Sequence, residues 1–201
     1  KIVESENKLT GLEAYSASRP PHSEGLAIFI ASYLAHETNC MNINLLHLSG
    51  RKAMEAALKM AEAFPHISFR REITIGHLLL DIHSPCGAQA KVNPPIRPRE
   101  DVEYLWRAVL DGKVDLVVSD HACCRQEAKI DSEHPDDIFM AKSGFGGTEY
   151  LLSGMLSEGT KRGLSYNRIA ELVCFNPAQR FGLHSKGDVA VGLDADLVLV
   201  D

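Results

Sequence analysis

Two short apolar runs in this sequence end in side chains able to hold a metal ion or move a proton. In Leu45-Leu46-His47-Leu48-Ser49 an imidazole follows an apolar stretch, and in Val117-Val118-Ser119-Asp120-His121 a carboxylate does, with a second imidazole beside it. A carboxylate so placed can ligate a divalent ion and accept a proton from a water within hydrogen-bond reach. His77, in Ile73-Thr74-Ile75-Gly76-His77, is a third candidate of the same kind. Each also has an ordinary reading: a structural strand-end histidine for His47, a helix N-cap for Asp120, and packing beneath a loop for His77, which is the expected role there. Two donors are fewer than the three protein ligands plus water of a catalytic zinc site. A metal site on His47 and Asp120 therefore needs further ligands from elsewhere.

Two loops could position a ligand beside such a site. Asn93 precedes Pro94 and Pro95, which stiffens the backbone in an extended form and lets the Asn93 amide or main chain pair with a polar ligand edge. The run Lys142-Ser143-Gly144-Phe145-Gly146-Gly147 has three glycines in four residues, permitting close backbone approach. It lacks the GxxxxGKS or GxxxxGKT pattern of a phosphate loop. The vicinal Cys123-Cys124 pair is read as filling space beside the site rather than as a redox or metal feature.

The elements that must carry these groups alternate. Glu24 to Ala35 has a wide apolar face of Leu26, Ile28, Phe29, Ile30, Tyr33 and Leu34, with Ser23 as N-cap, and predicts a helix. Ile43 to Leu48 predicts a buried strand. In the following GRKAMEAALKMAEAF, Met54, Ala57, Leu58 and Ala61 fall at helical spacing before Pro65, which ends the pattern. Ile67 to Ile75 reads as a second strand, and Val102, Leu105, Trp106, Val109 and Leu110 as a helix stopped by Gly112. Val114 to Ser119 reads as a third strand. Strand, helix, strand, helix, strand implies parallel pairing, hence an α/β sheet or barrel. Ligand groups at the carboxyl ends of such strands are where these folds build their sites. Two further helices are expected, broken at Gly163 and Ser165, and then short β runs at Val189, Val191 and Leu197 to Val200.

The chain has 201 residues, 45% hydrophobic and 24% charged, with a formal charge of −6. That excludes disorder and offers no basic field for a nucleic acid. No stretch approaches the ~20 apolar residues of a membrane span, and the start shows no signal-peptide pattern. The five cysteines lack CxxC spacing, against a disulfide framework and in favour of a reducing cytoplasm.

Taken together, SRPPHSEGLAI, LLHLS, ITIGHLLLD, KVNPPIRPREDVEYLWRAVLDGKVDLVVSDHACC, GGTEYLLSGMLSEGTKRG, FNPAQRFGL and KGDVAVGLDADLVLVD resemble, in this order, the C-terminal half of the cyclic amidohydrolases. That family includes dihydroorotase, hydantoinase/dihydropyrimidinase and allantoinase. The resemblance implies the C-terminal part of a TIM barrel, about strands 6 to 8, over residues 1–184, with residues 185–201 starting a small β-sandwich domain. It implies a centre of divalent metal, usually two zinc ions, with His47 as the sixth-strand ligand and Asp120 as the eighth-strand ligand and general base. Asn93, His121 and Gly146 are the substrate-contacting positions it implies.

The family's HxH pair, bridging lysine and fifth-strand histidine have no counterpart here, so the chain is expected to be a fragment, inactive and poorly behaved alone. Its metal sites are expected to stand empty unless the rest of the centre is supplied. The activity implied for the parent is hydrolysis of a small cyclic amide of the dihydropyrimidine, hydantoin, dihydroorotate or allantoin type to an N-carbamoyl acid. The expected enzyme is cytoplasmic, a dimer or tetramer, with neither nucleic acid nor membrane as partner. One alternative is a noncatalytic homologue acting in protein assembly; another is an isolated metal-binding β/α module.

Overall fold

The computed structural model describes residues 8–200. Its centre is a three-stranded parallel sheet in the order β1-β2-β3, formed by β1 (Asn42–Leu45), β2 (Ser68–Thr74) and β3 (Leu116–Val118). Asn42 pairs with Ser68 and Leu45 with Arg71 across one ladder, and Glu72 with Leu116 and Thr74 with Val118 across the other. Each strand is shorter than its apolar run because the ends of the run leave the ladder. His47 and Asp120 consequently lie two residues beyond their strands, in the turns that follow.

Helices precede and join the strands. They are α1 (Gly11–Ala17), α2 (Pro21–Glu37), α3 (Arg51–Ala63), the short α4 (Ile75–Leu79) and α5 (Arg99–Leu110). Alternation along β2 sends Phe69 and Ile73 into the core with Met54 and Ala57 of α3 and Leu105, Trp106 and Val109 of α5. Trp106 is 1% exposed, and its Nε1 donates to Leu78 O at 2.8 Å, so the indole nitrogen is satisfied within the core. Period two places Ser68, Arg70, Glu72 and Thr74 on the opposite face of the sheet. That face is closed at its lower end by Arg180, which donates to Asn42 Oδ1 at 3.0 Å and to Ser68 Oγ at 3.3 Å.

Downstream come α6 (Gln126–Lys129), α7 (Thr148–Gly154), α8 (Tyr166–Ala170) and α9 (Asn176–Arg180). Wider turns at Met155–Gly159 and Glu171–Phe175 continue α7 and join α8 to α9, which makes two long helices where two were expected.

Three expectations change. The N-cap of α2 is Pro20, with Pro21 at the first helical position, while Ser23 sits inside the first turn and donates to Pro20 O at 2.7 Å. Pro21 takes that place because it lacks an N–H to satisfy and has φ already set. The packed face of α2 keeps Ile28 of the expected apolar set and otherwise consists of the small residues Gly25, Ser32 and Ala35, since α3 approaches closely there: a Cβ on Gly25 would lie 3.4 Å from Lys52 O. The larger apolar residues of α2 lie mostly outside it. The tail to Val200 forms turns and unpaired backbone without strands, because β runs at Val189, Val191 and 197–200 find no partner strand among the described residues to complete a ladder.

Candidate active site

The chain turns sharply after β1 and again after β3. His47 (φ 41°) and Asp120 (φ 44°) both adopt left-handed backbone, which costs an L-residue energy and is held only where surroundings over-determine it. After β1 those surroundings are acidic. Leu48 N donates to Glu72 O at 2.8 Å, His47 N to Glu72 Oε1 at 3.4 Å and Ser49 N to Glu24 Oε1 at 2.9 Å. Glu24 is itself fixed by Arg97, whose 2%-exposed guanidinium also donates to Ser49 Oγ at 3.0 Å and Arg19 O at 2.6 Å.

Glu72 joins the two turns electrostatically. Burial pushes its carboxyl above the usual range, while the nearby His47 pulls it down and the negative Asp120 adds a further push upward. Glu72 stands on the middle strand, between the two strands that lead to His47 and Asp120. Sequence reasoning passed over Glu72 because one acid in Arg71-Glu72-Ile73 reads as a polar step of a strand. Its only signal is position, in a strand flanked on each side by a strand leading to a candidate ligand.

His47 and Asp120 thus emerge on either side of β2, with the outer strands separated by ~10 Å at ~4.8 Å per strand. Imidazole nitrogen and carboxylate oxygen suit a divalent first-row ion. No group of three His, Cys, Asp or Glu able to hold a metal forms among the described residues. The donors fit such an ion in kind and supply part of a coordination set.

His77 has a different place. It is 2% exposed, its Nδ1 lies 2.7 Å from Thr74 Oγ1 and its Nε2 3.1 Å from Pro94 O. A carbonyl only accepts, so Nε2 carries the proton and Nδ1 accepts from the Thr74 hydroxyl. Burial lowers its pKa to about 4, leaving a neutral ring that ties the end of β2 to the proline loop rather than one offered to a ligand.

On that loop the Asn93–Pro94 peptide is cis. The exposed Asn93 has its amide already engaged: Oδ1 accepts from Tyr15 OH at 2.7 Å and Nδ2 donates to Ser143 Oγ at 3.1 Å. Tyr15 is 1% exposed, with the Arg19 guanidinium 4.0 Å from its ring centroid. Tyr15 carried no motif, and its role follows from packing alone.

The glycine loop meets the Asp120 turn. His121 Nδ1 accepts from Thr148 N at 3.3 Å, and a Cβ on Gly146 would lie 3.2 Å from His121 Cε1. A Cβ on Gly147 would lie 2.1 Å from Ser119 O, so only glycine fits there. The Phe145 ring covers Gly76, where a Cβ would come within 2.7 Å of it. A pocket of about 150 Å³ lies beside this loop, lined by Gln89, Cys123, Cys124, Lys129, Gly144 and Gly146 among others. Both cysteines are exposed, so they border open space instead of filling it. A larger pocket of about 210 Å³, lined by Arg51, Tyr104 and Arg107, lies between α3 and α5 and contains none of these groups. The structure therefore groups His47 with Glu72, His121 with Gly146, and Asn93 with Tyr15 and Ser143.

Comparison with known proteins shows the family. Residues 19–201 match the profile described as the Amidohydrolase family. An allantoinase of Rubrobacter xylanophilus is 39% identical over 196 residues, covering 96% of this chain and 41% of that protein. A dihydroorotase of Halobacterium salinarum is 35% identical over 194 residues, covering 94% and 42% respectively. Among solved structures, the L-hydantoinase (dihydropyrimidinase) of Arthrobacter aurescens superposes with a TM-score of 0.85 at 30% identity, over 96% of this chain and 43% of that one. The chain thus spans about two fifths of the length of these relatives.

Proposed function

Because the chain belongs to the amidohydrolase family, we propose that it is the C-terminal part of a longer polypeptide that hydrolyses a small cyclic amide to an N-carbamoyl acid. The observation that carries this reading is the pair of left-handed turns after β1 and β3, which bring an imidazole and a carboxylate out on either side of Glu72. In this reading residues 1–184 complete a TIM barrel as about its strands 6 to 8, and residues 185–201 join a small β-sandwich with partners outside this chain. His47 and Asp120 are then two ligands of a divalent, binuclear zinc centre. Such ions, when bound, lower the pKa of water and polarise a carbonyl.

The chain's own residues supply the proton traffic and the positioning. Asp120, exposed at the strand end, accepts the proton of the attacking water and returns it to the ring nitrogen as the C–N bond breaks. His121 keeps Nδ1 turned toward Thr148 N, which leaves Nε2 to donate to the ring. With the Asn93 amide held in place by Tyr15 and Ser143, its second N–H and the main-chain groups around Asn93 and Gly146 contact the polar edge of the substrate. Dihydroorotate, dihydrouracil, hydantoin and allantoin all present such an edge. A dimeric or tetrameric cytoplasmic enzyme is part of the same proposal.

The test is a panel of those four rings with the full-length protein and added zinc, read by loss of ring absorbance or by product chromatography. Turnover of at least one ring is expected. Folded, metal-loaded protein that opens none would leave the noncatalytic, assembly-related role instead.

A further inference from the structure

Two lysines with no part in the chemistry above are buried beside the glycine loop. Lys91 is 5% and Lys129 4% exposed, unusual for ammonium groups, which are rarely buried without partners. Neither has a carboxylate partner within ion-pair distance among the described residues, and each is instead surrounded by carbonyl oxygens. Lys129 Nζ donates to Lys91 O at 3.0 Å, Lys142 O at 2.8 Å and Gly144 O at 2.6 Å. Lys91 Nζ donates to Phe139 O at 3.0 Å and to Ala141 O, and lies 4.9 Å from the Tyr15 ring centroid.

An ammonium has three donors, and Lys129 spends all three on main-chain oxygens of two segments, one at Lys91 and one at 142–144. The backbone repeats the connection: Lys142 N donates to Lys129 O at 3.0 Å and Gly144 N to Lys91 O at 2.9 Å. From this geometry we infer that Lys129 is a positioning residue whose ammonium serves as a built-in cation, gathering the segments at 91 and 142–144 so that Asn93 and Gly146 face the same site. Lys91 does the same for the loop at 139–141. The burial that opposes charge on both amines is offset by these carbonyl dipoles, as carbonyls replace a cation's hydration shell. Removing the ammonium takes a donor from all three carbonyls, and of these Lys91 O keeps Gly144 N while Lys142 O and Gly144 O lose the partner that holds them, so the loop loses its reason to close. The cage itself is independent of the reaction; its effect on turnover rests on the function proposed above.

The test uses the full-length protein and two readouts that need no substrate. Limited acetylation followed by mass spectrometry should find Lys129 at least tenfold less reactive than Lys161, whose side chain is 67% exposed. Lys129→Met and Lys129→Ala should raise proteolytic cleavage within residues 139–146 at least tenfold with helix content unchanged. n-Propylammonium, which replaces the atoms lost in the alanine variant, should restore protection to Lys129→Ala. In the same variants kcat/KM for the ring substrate should fall at least tenfold and recover with the amine. Lys129 reacting like Lys161, or a loop as protected in both variants as in the wild type, would overturn the inference. The labelling uses unaltered protein, so misfolding of a variant leaves that arm decisive. Absence of ring opening in the wild type would count against the proposed function and leave the cage standing.

Discussion

His77 shows how one buried ring carries both position and pH dependence. Its pKa is lowered to about 4 from an unfolded value near ~6.5. Between these the unfolded chain binds the extra proton and the folded one does not, so stability is full above the unfolded value and falls as pH drops toward the folded one. From pH 7 to pH 4 this residue alone should remove roughly 3 kcal/mol, and His77→Gln should flatten that slope in urea titrations. An unchanged slope in the variant would mean that His77 does not titrate as a buried neutral ring. Its packing beneath a loop was readable from the sequence, as was the position of His47 and Asp120 just past the ends of strands, because apolar runs ending in polar groups are visible in one dimension. Glu72 and Tyr15 were not. Their importance comes from what lies across the sheet or the loop from them, 25 residues from His47 and 78 from Asn93 in the chain.

Among the elements, the alternation of strands with helices was legible from hydrophobic period alone, and the parallel order follows it. What the pattern could not specify was which side of a helix is covered. The apolar residues of α2 at Leu26, Phe29, Ile30, Tyr33 and Leu34 read as a core face, whereas Gly25, Ile28, Ser32 and Ala35 make the contact. Small residues carry little hydrophobic signal but decide how near two helices come. The glycine loop poses the same issue at shorter range. A Cβ at position 147 would overlap Ser119 O at 2.1 Å, and Ser119 is the residue before Asp120. Gly147→Ala is expected to lower stability by about 1–3 kcal/mol, as overpacking does, and to lower kcat/KM of the full-length protein at least tenfold by displacing the Asp120 turn. Melting and steady-state rates check the two effects separately; wild-type values for both would show that the contact is not tight.

For the molecule as a whole, the covered and uncovered surfaces matter most. On α2, Leu26 is 58%, Ile30 53%, Tyr33 56% and Leu34 54% exposed, one contiguous apolar stripe at helical spacing. β1 and β3 each pair with β2 alone among the described strands, leaving two strand edges open. Surfaces of this kind associate. The 201-residue chain by itself should therefore sediment as concentration-dependent aggregates or oligomers, and Ile30→Lys with Leu34→Lys should shift it toward monomer. A monodisperse monomer for the unmodified chain would contradict this. No helix among the described residues is long and apolar enough to cross a membrane. An exposed apolar stripe of this size takes a neighbour. In the proposed barrel that neighbour is the preceding part of the same polypeptide.

In the proposed ring opening, everything turns on Asp120 carrying the proton. Asparagine keeps the shape of the side chain and removes its basicity, so the comparison is made on full-length protein, wild type against Asp120→Asn, with ring opening and bound metal measured on the same samples. Turnover of Asp120→Asn is expected to fall at least a thousandfold while the fold and most of the metal persist. Turnover in the variant within a few-fold of the wild type would contradict it.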